Sequence, residues 1–149
     1  MFQMTRVVGL CAGAGLAVAV AGVAAQSGPQ VYKGLEVSVS AVARATNVSL
    51  TDCPPGANTQ RGVIKPGDPM EFVTVTADFK VLPAFKPGPL AKPVLQDESG
   101  KTYNTAQSFA DVGSTPSFSC TFAFRVPTGT KVKRFTIDTL AIDLASPGR

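Results

Sequence analysis

The sequence has no histidine and no tryptophan, and only two tyrosines in 149 residues. Without histidine, the Ser–His–Asp and Cys–His arrangements of nucleophilic catalysis cannot be assembled, and the commonest zinc ligand and general base is missing. There is no glycine-rich phosphate cradle or Walker pattern. The missing tryptophan argues against an antibody-type domain, whose core is built around one. Charge is sparse as well. The formal net charge is +4, and the basic residues are scattered apart from Lys131, Lys133 and Arg134. A nucleic-acid footprint needs clustering, so no nucleic-acid partner is expected.

The carboxylates offer little chemistry. Asp97 and Glu98 fall in a turn, where solvent keeps them from acid–base work. Asp97-Glu98-Ser99 is also too short to be a calcium loop, which alternates several oxygen ligands around a glycine and ends in a glutamate. Glu71, Asp78, Asp138 and Asp143 fall on strands, where a solvated outer face is the default. The expectation is therefore a non-enzyme with no catalytic residues, no metal and no cofactor.

One long apolar run is present. Met1–Ala25 opens with a single basic residue, Arg6, continues from Val7 through alanine- and glycine-rich sequence, and ends Val23-Ala24-Ala25-Gln26. A charged start, an apolar run and small residues at the cleavage positions read as a secretory signal peptide, residues 1–25, carried as an N-terminal helix. An uncleaved membrane anchor is the competitor, but the alanine and glycine content makes it weakly hydrophobic for a permanent span. Cys11 follows Leu10 rather than a small residue, which counts against lipidation. The chain is thus expected in a secreted or periplasmic setting, with no membrane span after cleavage.

Two of the three cysteines, Cys53 and Cys120, lie beyond that segment. In an oxidising compartment an even pair reads as a disulfide, worth roughly 4 kcal/mol in the entropic account of a long closed loop. Two free buried thiols are the alternative, because distance cannot be read from sequence.

What remains reads as β-structure throughout. Ser117–Pro127 places Phe118, Cys120, Phe122, Phe124 and Val126 on one parity and mostly polar residues on the other, a half-buried strand with three rings on its apolar face. Glu71–Leu82 gives the cleanest alternation, with Val73, Val75, Ala77, Phe79 and Val81 opposed by Thr74, Thr76, Asp78 and Lys80. Leu35, Val37 and Val39 alternate in a first strand, and Val48–Leu50 extends it or starts another. Residues 26–34 read as a linker and 145–149 as a frayed tail. Thr51–Gly62 is loop chemistry around Cys53. Pro83–Pro93 carries four prolines, excludes a central strand or helix, and reads as a stiff connection between two sheets. Val94–Tyr103 is a hairpin whose turn starts at Asp97 and closes at Gly100. Lys131–Leu144 reads as one final strand with a bulge or a bend near Thr139, because Phe135 and Ile137 share one parity while Leu140, Ile142 and Leu144 share the other. No helical period, heptad or internal repeat is present. Six to eight strands with irregularly spaced turns predict an immunoglobulin-like antiparallel β-sandwich spanning residues 35–144.

Three features together carry a resemblance: the Glu71–Leu82 strand, the Leu95-x-Asp97-x-x-Gly100-x-x-Tyr103 hairpin, and the Phe122-x-Phe124-x-Val126-Pro127 strand end. The chain resembles the small exported bacterial immunoglobulin-like domains of unknown function, the secreted mycobacterial immunogenic protein type. That resemblance implies a β-sandwich, a signal peptide or lipid anchor, and no established enzymatic activity.

Two functions from different classes fit these residues. The first is an extracytoplasmic binding module that presents Thr51–Gly62, Pro83–Pro93 and Thr105–Pro116 to a protein or surface partner of the cell envelope. The second is a small-ligand carrier with a pocket between the sheets, lined by Phe79, Phe118, Phe122 and Phe124. Sandwich interiors are normally filled, which favours the first. A purely structural envelope protein is a third reading.

Overall fold

Side-chain alternation sets which residues face inward, and two facing sheets result. The computed structural model describes residues 28–56, 63–107, 109, 112 and 115–144. The signal segment 1–25, its cleavage point and the tail 145–149 lie outside the described residues. Among the described residues ten strands are formed: β1 (Gln30–Tyr32), β2 (Leu35–Ala45), β3 (Val48–Ser49), β4 (Val63–Ile64), β5 (Met70–Val81), β6 (Val94–Asp97), β7 (Thr102–Asn104), β8 (Ser117–Pro127), β9 (Val132–Ile137) and β10 (Leu140–Asp143). One sheet runs β1-β2-β5-β8 and the other β10-β9-β6-β7, while β3 and β4 form a separate two-stranded flap. All strand pairings are antiparallel. The architecture is an all-β sandwich with eight strands in its two sheets.

The strand expected at Ser117–Pro127 is β8 in full, and it pairs along its whole length with β5. Val73, Val75, Ala77 and Phe79 of β5 are buried together with Cys120, Phe122, Phe124 and Val126 of β8. Leu95, Phe135, Ile137 and Ile142 of the second sheet complete the same core. The Phe135 ring reaches across to Phe122 (centroids 5.9 Å apart) and Phe124 (6.3 Å), so aromatic contact joins the two sheets. Rings of this size bury about 150–250 Å² each, which makes them the largest single contributors to such an interior.

Three expectations need correction. The final element is a hairpin, β9–β10, and not one strand bent near Thr139. Ile137 pairs directly with Leu140, and Asp138 takes φ 51° in the intervening turn. Across a two-residue turn the flanking residues sit opposite each other and point to the same face, so the parity must switch between them. A bulge does occur, but in β2, where the pairing slips between Val39 and Ala41. It lets Leu35, Val37 and Val39 and then Val42 all face the core. Finally, part of the stretch expected as linker is strand β1. Tyr32 is buried, and Lys33 (φ 48°) and Gly34 (φ 81°) form a tight turn into β2. Positive φ at both central residues is the geometry that matches strand twist in a two-residue hairpin.

Residues Pro83–Pro93 connect β5 in the first sheet to β6 in the second, as expected of a stiff crossover. The segment packs against the β1–β2 turn: the Ala91 amide donates to the Tyr32 hydroxyl (3.4 Å) and Lys33 Nζ to the Pro89 carbonyl (3.4 Å). Phe85, Leu90 and Ala91 are half-buried against the core.

Candidate functional site

Strand β8 closes one side of its sheet, leaving an eleven-residue edge. An open edge that long would pair with other chains unless covered. The chain covers it with the segment that returns from β7. Thr105 forms a bridge with Phe124, and further along Cys53 forms one with Phe109. Between these bridges lies Gln107, which is buried. Its amide Nε2 donates to the Thr121 carbonyl, and its Oε1 accepts from the Ala123 amide (2.8 Å) and from the Thr105 hydroxyl (3.0 Å). A carboxamide carries one donor side and one acceptor side, as a peptide group does. Gln107 therefore stands in for a neighbouring strand at Thr121–Ala123.

Cys53 and Cys120 are bonded to each other, with Cα atoms 5.5 Å apart and a sequence separation of 67. The disulfide pins the loop beginning at Thr51 onto the β8 edge beside the 105–109 segment. Phe109 secures the same place from inside, its ring edge-on to Phe79 (5.4 Å) and to Phe122 (5.8 Å). Two of the three expected binding loops, Thr51–Gly62 and Thr105–Pro116, thus meet at one edge, as far as their described residues go. The third, Pro83–Pro93, does not join them. It packs against the β1–β2 turn instead.

Of the four phenylalanines expected to line a pocket between the sheets, Phe79, Phe118 and Phe122 pack on one another and Phe124 packs on Phe135. Phe79 stacks on Phe118 (5.0 Å) and meets Phe122 edge-on (6.4 Å), and Phe79, Phe122 and Phe124 are buried. Concave space is found on the outer surface. A cleft of about 390 Å³ lies over Glu36, Ser38, Asp78, Phe79, Lys80, Pro116 and Ser117. A second, of about 370 Å³, lies between the β3–β4 flap and β8, over Leu50, Phe72, Ala123 and Ala106, with Lys65, Asn104 and Arg125 around it.

The carboxylates are mostly engaged in structure. Asp97, expected to be solvated, is buried at 8 % exposure. Its Oδ1 accepts from the Ser99 hydroxyl (2.6 Å), the Ser99 amide (2.9 Å) and the Lys101 amide (3.0 Å), and its Oδ2 from the Tyr103 hydroxyl (3.0 Å). The Ser99 hydroxyl bond leads in holding the Asp97 carboxyl below its ordinary value, against burial, with Tyr103 and the two amides adding to it. Tyr103 is pushed up, first by burial and then by the bond it donates to the Asp97 charge. A carboxylate held ionised by four donors locks its turn. Gly100 closes that turn at φ 89°. Glu71 is half-buried and paired with Arg44, and it accepts from the Gly129 amide (2.9 Å). Arg44 also donates to the Thr130 carbonyl (2.6 Å). Asp78 accepts from Ser119, Asp143 pairs with Arg134 (2.9 Å), and Asp138 lies in the β9–β10 turn and not on a strand.

Among the described residues no three Asp, Glu, Cys or His side chains gather as a metal site, and no helix is long and apolar enough to cross a membrane. A disulfide is compatible with an extracytoplasmic location. Sequence reasoning missed Gln107 and the Lys65–Arg125 cleft. Neither is announced by spacing, since both depend on how the β7–β8 connection and the flap lie across β8.

No protein-family model matches the chain, and no curated protein does. Among solved structures, an uncharacterized β-sandwich protein from Clostridium difficile 630 is similar over 76 % of this chain and 86 % of its own, at 11 % identity and a TM-score of 0.48.

Proposed function

We propose that the protein is an exported, non-enzymatic domain of the immunoglobulin-like type that acts as an extracytoplasmic binding module. Its contact surface in this reading is the β8 edge with the two loops gathered there. One observation carries the proposal: the Cys53–Cys120 bond ties a proline-rich loop to the strand that the 105–109 segment also covers. Loops held on a rigid sheet edge suit recognition of another protein, because little ordering is left to do on binding. The apolar N-terminal run and the disulfide favour export. The packed Phe79, Phe122 and Phe124 rings leave the interior to the core, which favours surface recognition over carriage between the sheets.

Site-specific photo-crosslinking in the native host tests this. A crosslinker at exposed Ala106 should capture one discrete extracytoplasmic protein, and a crosslinker at exposed Ala141 of β10 should not. Equal capture at both positions, or none at Ala106, overturns the reading.

A further inference from the structure

The outer face of the first sheet is dominated by small and hydroxyl side chains along β2, β5 and β8, with Ser38, Ser40, Thr74, Thr76, Ser119 and Thr121 pointing outward. Phe72 breaks this pattern. It is outward-facing yet buried, packed with Val48, Ala123, Ala45 and Leu50 under the β3–β4 flap. The flap accounts for Val48 and for most of Phe72. It does not account for the cleft of about 370 Å³ left open between Leu50, Phe72 and Ala123 and the far wall at Ala106. Nor does it account for the charge there: the lining holds two cations, Lys65 and Arg125, and no carboxylate.

Arg125 is held in position. Its Nε donates to the Pro66 carbonyl (2.6 Å), which uses one of five N–H donors and leaves the Nη groups for a second acceptor. Lys65 and Arg125 are both exposed, but Lys65 also borders a neighbouring groove that contains Asp68, so Arg125, held by the Pro66 carbonyl, is the better-placed anchor. A fork-shaped guanidinium beside an apolar floor matches a planar carboxylate attached to a hydrocarbon group. At about 370 Å³ the cleft falls in the size range of small-molecule sites, about 300–1,000 Å³, and a ten-carbon monocarboxylate is a suitable probe of it.

We propose that the cleft between the β3–β4 flap and β8 is a binding site for a small apolar monocarboxylate, with its hydrocarbon over Phe72, Leu50 and Ala123 and its carboxylate between Arg125 and Lys65. The site lies on the outer face of the sheet and shares Ala106 with the β8 edge, but it is read on the purified protein alone and does not rest on the partner binding proposed above.

Amide-resolved NMR titration of the purified protein tests it, with decanoate, decanol and decylamine as probes. Decanoate should shift the Asn104, Ala123 and Arg125 amides and bind more tightly than decanol, with decylamine weakest. An exposed ion pair is worth at most about a five-fold change in affinity, so Lys65→Gln and Arg125→Gln should each weaken decanoate by up to that factor and leave decanol unchanged. Lys65 is exposed, so its substitution tests the site without disturbing the fold. Decanol binding as tightly as decanoate overturns the proposal. So does an absence of saturable decanoate binding, or shifts confined to core amides such as those of Phe79 and Phe122.

Discussion

Replacing Gln107 by alanine removes three hydrogen bonds at once: the donor to the Thr121 carbonyl, and the acceptor for the Ala123 amide and the Thr105 hydroxyl. Each is worth about 1 kcal/mol net, and a buried N–H stranded by the change costs about 1–3 kcal/mol. Gln107 is only 6 % exposed, so solvent cannot replace its amide without opening the β8 edge. The expected cost is about 3 kcal/mol. With a urea dependence of about 2 kcal/mol per molar, the unfolding midpoint should fall by about 1.5 M. The uncovered edge should also make the variant self-associate with rising concentration, measurable by sedimentation.

Gln107→Glu separates hydrogen bonding from simple loss of packing. The glutamate keeps the acceptor for Ala123, but when ionised it faces the Thr121 carbonyl with no proton to give. Burial and that carbonyl raise its folded pKa above the ordinary value near ~4.3. A raised folded pKa means stability that is present below the unfolded value and lost as pH rises through the folded one. The variant should therefore approach the parent near pH ~4 and fall behind it at neutral pH. A Gln107→Ala midpoint within about 0.2 M of the parent, too little for even one net hydrogen bond, refutes the edge-covering role. A Gln107→Glu deficit that does not shrink on acidification refutes it too.

Three further outcomes follow from the same geometry. Asp97→Ala should cost about 3 kcal/mol, because four donors lose a charged acceptor. The lowered carboxyl of Asp97 gives stability that is present above its ordinary pKa of 3.8 and lost as pH falls through the folded value. Acid titrations of stability should therefore show a smaller loss below that point in Asp97→Asn than in the parent, and equal losses would count against the lock. In Gly34→Ala the new Cβ would sit 2.4 Å from Phe85 Cα at φ 81°, with backbone on the far side and no room to yield. A melting temperature lower by about 10 °C or more is expected by the usual scaling of stability with temperature, and an unchanged one would mean that the crossover is not seated on the β1–β2 turn. Reduction of Cys53–Cys120 should lower stability by about 4 kcal/mol, seen as a urea midpoint that shifts with reductant. No shift would mean the two thiols are free.

What the sequence reveals depends on whether a feature is periodic. β5 and β8 are legible because both are long and pair in register, so their core residues fall on the parity that alternation assigns, and only Phe72 and Ala123, covered by the flap, are buried on the other. Parity also reported that something happens near Thr139, but it could not say what. A bulge and a two-residue turn both shift the inward face by one residue, and only the pairing of Ile137 with Leu140 tells them apart. The Lys33–Gly34 turn was within reach, since a glycine after a polar residue between Tyr32 and Leu35 has the form of a hairpin. The Asp97 turn was read correctly in its chemistry but not in its burial, because burial is set by Tyr103 and the neighbouring strands and not by the turn itself. The proposed sites fail differently. Gln107 acts through a side chain that imitates a strand, and Arg125 through a side chain pinned to the Pro66 carbonyl, 59 positions away in sequence. Neither leaves a period, a spacing or a composition to read. In a sandwich whose interior is filled, recognition falls to such irregular places: the edge strand that must be covered and the flap that covers an outward phenylalanine. The features that sequence reads best are therefore the ones that make the scaffold, and the features that would distinguish this protein from another sandwich are those that cross it.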